Sequence, residues 1–134
     1  MKLFCTLLLA ALLFISGCDA SSKATDEESC TETNIAYVSE VTGDSAVAVG
    51  DKLELSVSFP VNNGCGQFNA FTETEDGNVI TIEVEAIYDT CSMCTMDIPT
   101  RTATYTFQAE AEGSYTLKFK SSETEFITKT ITVN

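Results

Sequence analysis

Histidine is absent from the sequence, which removes the commonest general base and with it the Ser-His and Cys-His pairs of nucleophilic catalysis. Ser and Thr are plentiful, but none stands in a lysine-activated motif, and no glycine-rich phosphate loop is present. Glu83 and Glu85 pair only on the polar face of a strand pattern, not in a recognisable cleft. The chain therefore reads as a non-enzyme that needs no cofactor. Basic residues are scarce too: seven Lys and Arg stand against twenty Asp and Glu, a formal charge of −13. That balance argues against nucleic acid as a partner and against direct adsorption on anionic lipid, both of which reward positive charge. No window carries a long helical repeat with caps. The one extended apolar run, Leu3 to Ile15, falls short of the roughly 20 residues that span a bilayer.

What that run does fit is a secretory h-region: Lys2 precedes it, and small residues follow it before Cys18. Residues 1–17 read as a signal peptide. Its end, Ile15-Ser16-Gly17-Cys18, resembles the lipobox of bacterial lipoproteins. That resemblance implies cleavage before Cys18, a diacylglycerol on its thiol, and a protein held to a membrane of the cell envelope by acyl chains, palmitate among them, each buried CH₂ contributing about 0.8 kcal/mol. Because the protein's own charge disfavours the bilayer surface, the lipid must do the anchoring. Asp19, next in line, fits either inner-membrane retention or export to the outer surface. From Cys18 to Thr33 the chain is almost free of large apolar residues, too polar to offset the entropy of ordering, and reads as a tether.

Residues 34–134 change to a period of two. Leu53, Leu55, Val57 and Phe59 alternate with polar neighbours in DKLELSVSF, as a half-buried strand requires. The same pattern aligns Ile80, Ile82, Val84, Ala86 and Tyr88, then Ala103, Tyr105 and Phe107, then Tyr115, Leu117 and Phe119. In the last run Ile127, Ile131 and Val133 share a face that Lys129 interrupts. Turn signals separate the runs at Val49-Gly50-Asp51, Asn62-Asn63-Gly64, Glu75-Asp76-Gly77-Asn78 and Glu110-Ala111-Glu112-Gly113. Seven strands follow, near 34–41, 51–59, 67–75, 79–88, 101–108, 114–120 and 125–133, so the fold class is all-β and the architecture a sandwich. The stretch EAEGSYTLKF resembles the immunoglobulin-type tyrosine corner, which implies that the Tyr115 hydroxyl bonds back to the preceding turn. Leu117 stands where an antibody domain has cysteine, and tryptophan is missing throughout. The likeness is thus to bacterial immunoglobulin-like or fibronectin-like domains.

With Cys5 in the signal and Cys18 lipidated, Cys30, Cys65, Cys91 and Cys94 remain. In a seven-strand sandwich the start of the first strand and the loops after the second and fourth share one pole, which gathers all four sulfurs. Outside the cytoplasm such thiols oxidise. Of the three connectivities open to four cysteines, the favoured ones join Cys30 and Cys65, one each, to Cys91 and Cys94, with Gly64 and Gly66 allowing close backbone approach beside Cys65. Competing readings of CSMCTM are a zinc or Cu(I) site using Cys91 and Cys94, with Met93 and Met96 as soft ligands, and a thiol-redox pair. The latter wants a helix N-terminus, whereas CSMCTMDIPT leads into a proline and a strand. At the opposite pole Asp44, Asp51, Glu73, Glu75, Asp76, Glu110 and Glu112 offer oxygens to Ca²⁺ without any EF-hand spacing, or simply keep the surface solvated. The function expected is a non-catalytic binding or structural module of the bacterial envelope with a protein or glycan partner. The alternatives are an extracytoplasmic metal or thiol-redox protein and an immunoglobulin-like protease inhibitor, although no inhibitor loop motif is recognisable.

Overall fold

The computed structural model describes residues 29–134. The signal segment and Cys18 lie outside the described residues. Among the described residues there are nine strands: β1 Thr31–Ala36, β2 Glu40–Thr42, β3 Ala46–Val47, β4 Lys52–Pro60, β5 Gln67–Asp76, β6 Val79–Asp89, β7 Thr100–Gln108, β8 Gly113–Lys120 and β9 Phe126–Val133. They form a six-stranded sheet, β1, β3, β5, β6, β8 and β9, and a three-stranded sheet ordered β2-β4-β7. The all-β sandwich is therefore present, and its strands fall on the alternating runs.

Each alternating run buries the face that its sequence marks as apolar. Leu53, Leu55, Val57 and Phe59 of β4 and Tyr105 and Phe107 of β7 cover one side of the core. Ile80, Ile82, Val84, Ala86 and Tyr88 of β6, Leu117 and Phe119 of β8, and Ile131 and Val133 of β9 cover the other. Each such side chain contributes roughly 1.5–3 kcal/mol on leaving water, and no polar or charged residue is buried among the described ones. Ala103, Tyr115 and Ile127 are only partly covered. Rings stack through one edge of this core: Phe68 lies 4.7 Å from Phe71, Phe71 meets Tyr105 edge-on at 5.2 Å, and Tyr105 meets Phe119 at 5.5 Å. Burial, reinforced by the Glu73 carboxylate beside its hydroxyl, holds the Tyr105 phenol well above its ordinary range.

Two departures from the expected layout have physical causes. The run at 34–41 is not one strand. β1 begins at Thr31, inside the segment read as tether, and pairs with β6 from Thr31↔Asp89 to Ala36↔Val84. The chain then crosses between sheets: the Val38 amide donates to Lys120 O at 2.9 Å in one, and the Ser39 amide to Ser58 O at 2.8 Å in the other. Val38, fully buried at the crossing, makes the switch favourable by plugging the gap between layers.

The second departure concerns neighbours in the larger sheet. An immunoglobulin arrangement would set the third strand against the sixth, but here β6 lies parallel to β8, from Val79↔Thr116 to Ile82↔Phe119, and β5 sits outside β6 as an edge. The reason is composition. β6 has an unbroken apolar face and suits a central place, while β5, QFNAFTETED, has no fully buried residue and carries three acids in its last four positions. Charges and a bulge suit an edge strand, and the β5–β6 register does shift between Phe68 and Ala70. A two-residue connection joins these strands, with Gly77 at φ 60° in the left-handed region that a side chain disfavours.

Candidate functional site

The end of the sandwich where β6 runs out collects the cysteines. Antiparallel pairing places Thr31 opposite Asp89, and the Thr90 amide donates to Cys30 O at 2.8 Å. Cys30 and Cys91 are thereby set side by side and bonded, their Cα atoms 5.1 Å apart. Beyond Cys91 the connection to β7 folds back over the β4–β5 loop. The Gly64 amide donates to Thr95 O at 3.0 Å and the Val61 amide to Pro99 O at 3.0 Å, which delivers Cys94 to Cys65 with Cα atoms 5.3 Å apart. Both bridges follow the one-each pairing expected from the shared pole. The two sulfurs of the C-x-x-C are bonded to different partners and not to each other, so in this form neither is a thiolate.

Glycine makes the approach possible. A Cβ on Gly64 would collide with the Thr95 hydroxyl, and one on Gly66 would lie 2.6 Å from Val61 Cβ and 2.7 Å from Tyr88 Cε1. The Arg101 guanidinium braces the same loop, Nε donating to Gly66 O at 2.9 Å and Nη2 to Gly64 O at 3.0 Å. Asp89 caps the other side: its Oδ1 accepts from the Cys91 and Ser92 amides at 2.9 and 3.1 Å, and its Oδ2 accepts from the Ser92 hydroxyl. These bonds, the Ser92 hydroxyl foremost, hold the Asp89 carboxyl below its usual range.

A cleft of about 430 Å³ opens at this pole, lined by Glu32, Asn34, Asn62, Asn63, Tyr88, Asp89, Thr90, Ser92 and Cys94. The Tyr88 hydroxyl accepts from the Asn62 amide at 3.1 Å, which leaves its proton to donate. Amides, hydroxyls and carboxylates at this density can hydrogen-bond a polar, hydroxyl-rich ligand. The cleft is not legible in the sequence, because its residues come from β1, the β4–β5 loop, the end of β6 and the loop beyond it. The Asn62-Asn63-Gly64 turn signal marked its position without its role. Arg101 likewise gave no signal: it stands on the inward phase of β7 with Ala103, Tyr105 and Phe107, but just ahead of the apolar run, where a charged residue reads as the strand's solvated start.

The remaining candidates are scattered. Met93 and Met96 project into solvent with relative exposures of 102% and 94%. Asp51, Glu110 and Glu112 occupy connections at the far end, and Glu75 and Asp76 close β5 there; the Gly50 amide donates to Ala109 O at 2.8 Å and ties two of the turns together. Asp44 sits between β2 and β3. Among the described residues no group of three or more acidic, cysteine or histidine side chains converges to hold a metal, so these carboxylates are not drawn together. Glu83 forms an ion pair with Lys120 at 2.7 Å, which raises the lysine's pKa, and Glu85 accepts from the Asn69 amide. At the far end, where β8 begins, the Tyr115 hydroxyl donates to Ala111 O at 3.0 Å, the back-bond implied by the tyrosine-corner resemblance.

A family model described as ORF11 beta-sandwich domain matches residues 55–133, from within β4 to the last residue of β9. No curated protein and no solved structure matches the chain.

Proposed function

The chain belongs to the ORF11 beta-sandwich domain family, and on that scaffold we propose a non-catalytic binding module of the bacterial envelope, a β-sandwich lipoprotein anchored through acyl chains on Cys18. The observation that carries the reading is the cysteine pole. There the chain arriving from the lipobox is bonded covalently to the domain at Cys30, and the polar cleft is framed by the loop that the same bridges hold. Two disulfides fit an oxidising compartment, and a signal segment ending in Ile15-Ser16-Gly17-Cys18 supplies the route to it. The cleft, with Asn34, Asn62, Thr90 and the Tyr88 hydroxyl, suits a glycan more than an apolar ligand.

Expression of the full chain in a bacterium, membrane fractionation, and mass spectrometry of the N-terminal peptide test the anchoring. The expected result is a chain that starts at Cys18, carries diacylglycerol, and moves from membrane to soluble fraction in the Cys18→Ser variant. A soluble wild-type protein with an unmodified Cys18 refutes it. Titration of surface polysaccharides from the same envelope tests the cleft, with Asn62→Asp expected to weaken any binding that wild type displays.

A further inference from the structure

Seven large apolar side chains are exposed among the described residues; Ile35, Val49, Phe68 and Val79 are partly covered and dispersed, whereas the three most exposed lie in one place. Met93, Met96 and Ile98 are exposed by 102%, 94% and 69%, and all three lie in the ten-residue connection between β6 and β7. This loop is not loose. Cys91 and Cys94 are bonded to Cys30 and Cys65, Thr95 is docked on Gly64, and Pro99 O accepts from the Val61 amide. A loop braced at four points that still points three large apolar side chains into water is built to present them, since solvated connections favour polar residues.

The occupant follows from where the chain enters. Cys30, bonded to Cys91, stands two residues along the loop from Met93. Only eleven residues lie between Cys18 and Cys30, a contour of at most about 40 Å, so an acyl chain on Cys18 keeps this pole within that distance of the bilayer. The other end, with Asp51, Glu75, Asp76, Glu110 and Glu112, is then the one directed outward. We propose that Met93, Met96 and Ile98 dock into the membrane interface as a second attachment point, an inference that rests on the anchoring reading above. Amphipathic attachment of this kind needs apolar groups at the acyl boundary and gains from tethering, which raises the local concentration of the loop at the surface. Asp97, between Met96 and Ile98, and Asp89, at the loop's start, together with the excess of acidic over basic residues, select zwitterionic over anionic lipid.

The absence of tryptophan from the sequence supplies the test. Met96→Trp and, at the far end, Glu112→Trp each place a single tryptophan, excited apart from the four tyrosines at the red edge of absorption, in the lipidated chain, which is reconstituted into phosphatidylcholine vesicles containing brominated acyl chains. The expected result is blue-shifted Met96→Trp emission, quenched at least twofold by the bromines, with Glu112→Trp unaffected. Phosphatidylglycerol added to the vesicles should reduce the quenching. If Met96→Trp is as open to aqueous acrylamide as Glu112→Trp while mass spectrometry finds Cys18 lipidated, the docking is refuted and the anchor stands. Protection in native envelope membranes but not in protein-free vesicles also refutes it, in favour of a protein partner. Should Cys18 carry no lipid, the anchoring reading falls, and the same two variants added to preformed vesicles decide the loop, absence of a shift overturning the proposal.

Discussion

Removal of the Cys65–Cys94 bridge is the perturbation whose size can be worked from the geometry. The bridge spans 29 positions, and the loop-closure entropy of a ring that size corresponds to about 3.6 kcal/mol at 25 °C. That figure is an upper limit, because Cys30–Cys91 already provides a second covalent path of similar length from Cys65 back to the same loop. A loss between about 2 and 3.6 kcal/mol is expected. With an unfolding entropy of roughly 0.22 kcal/mol/K for a domain of this size, Tm falls by about 9–16 °C. The variant of choice is Cys65→Ser with Cys94→Ser together. A single substitution would leave a free thiol beside the Cys30–Cys91 bond, open to exchange. Thermal unfolding followed by far-UV circular dichroism, with the remaining bridge verified by mass after alkylation, gives the number. A fall of less than about 5 °C, with the native spectrum unchanged, would refute the assignment of stability to this ring and shift it to the hydrogen bonds of Gly64 and Arg101.

Tyr115→Phe removes only the bond to Ala111 O, and chemical denaturation should register a loss of about 1 kcal/mol without a change of m-value. Alkaline titration offers a separate check on Tyr105. Its folded pKa is raised above the unfolded value of 10.0, so its contribution to stability is complete below pH 10 and declines as pH climbs toward the folded pKa. Ultraviolet titration should therefore find one of the four tyrosines ionising only as the domain unfolds, and Tyr105→Phe should remove that late step.

Much of this architecture is written in the period-two runs. Leu53 to Phe59, Ile80 to Tyr88, Leu117 with Phe119, and Ile131 with Val133 all face the core as their alternation requires. Alternation reports which face of a strand is dry; it does not report which strand lies beside it. That is why the parallel β6–β8 pairing and the edge position of β5 were not legible, both being set by long-range competition for the central place. The break of 34–41 into β1 and β2 escaped for a related reason: Val38 is buried between the layers, and nothing local distinguishes it from one more inward residue of a continuous strand. The gathering of the cysteines at one pole could be argued from the up-and-down course of the chain. Which of Cys91 and Cys94 takes which partner depends on Thr90 meeting Cys30 and Thr95 meeting Gly64, contacts between segments far apart in sequence.

The Cys30–Cys91 bridge also fixes how the domain would bear mechanical load. Tension applied through the N-terminal segment does not pull on β1, because it passes at Cys30 directly into Cys91 at the end of β6. The strands between those cysteines, β1 to β6, lie inside a covalent ring and cannot be peeled away or drawn out by force. Only the part of the chain after Cys91 could extend, by at most about 150 Å, and resistance would come from stripping β7 off β4 and β8 off β6. Reduction of that one bond would turn β1 into the first strand to yield.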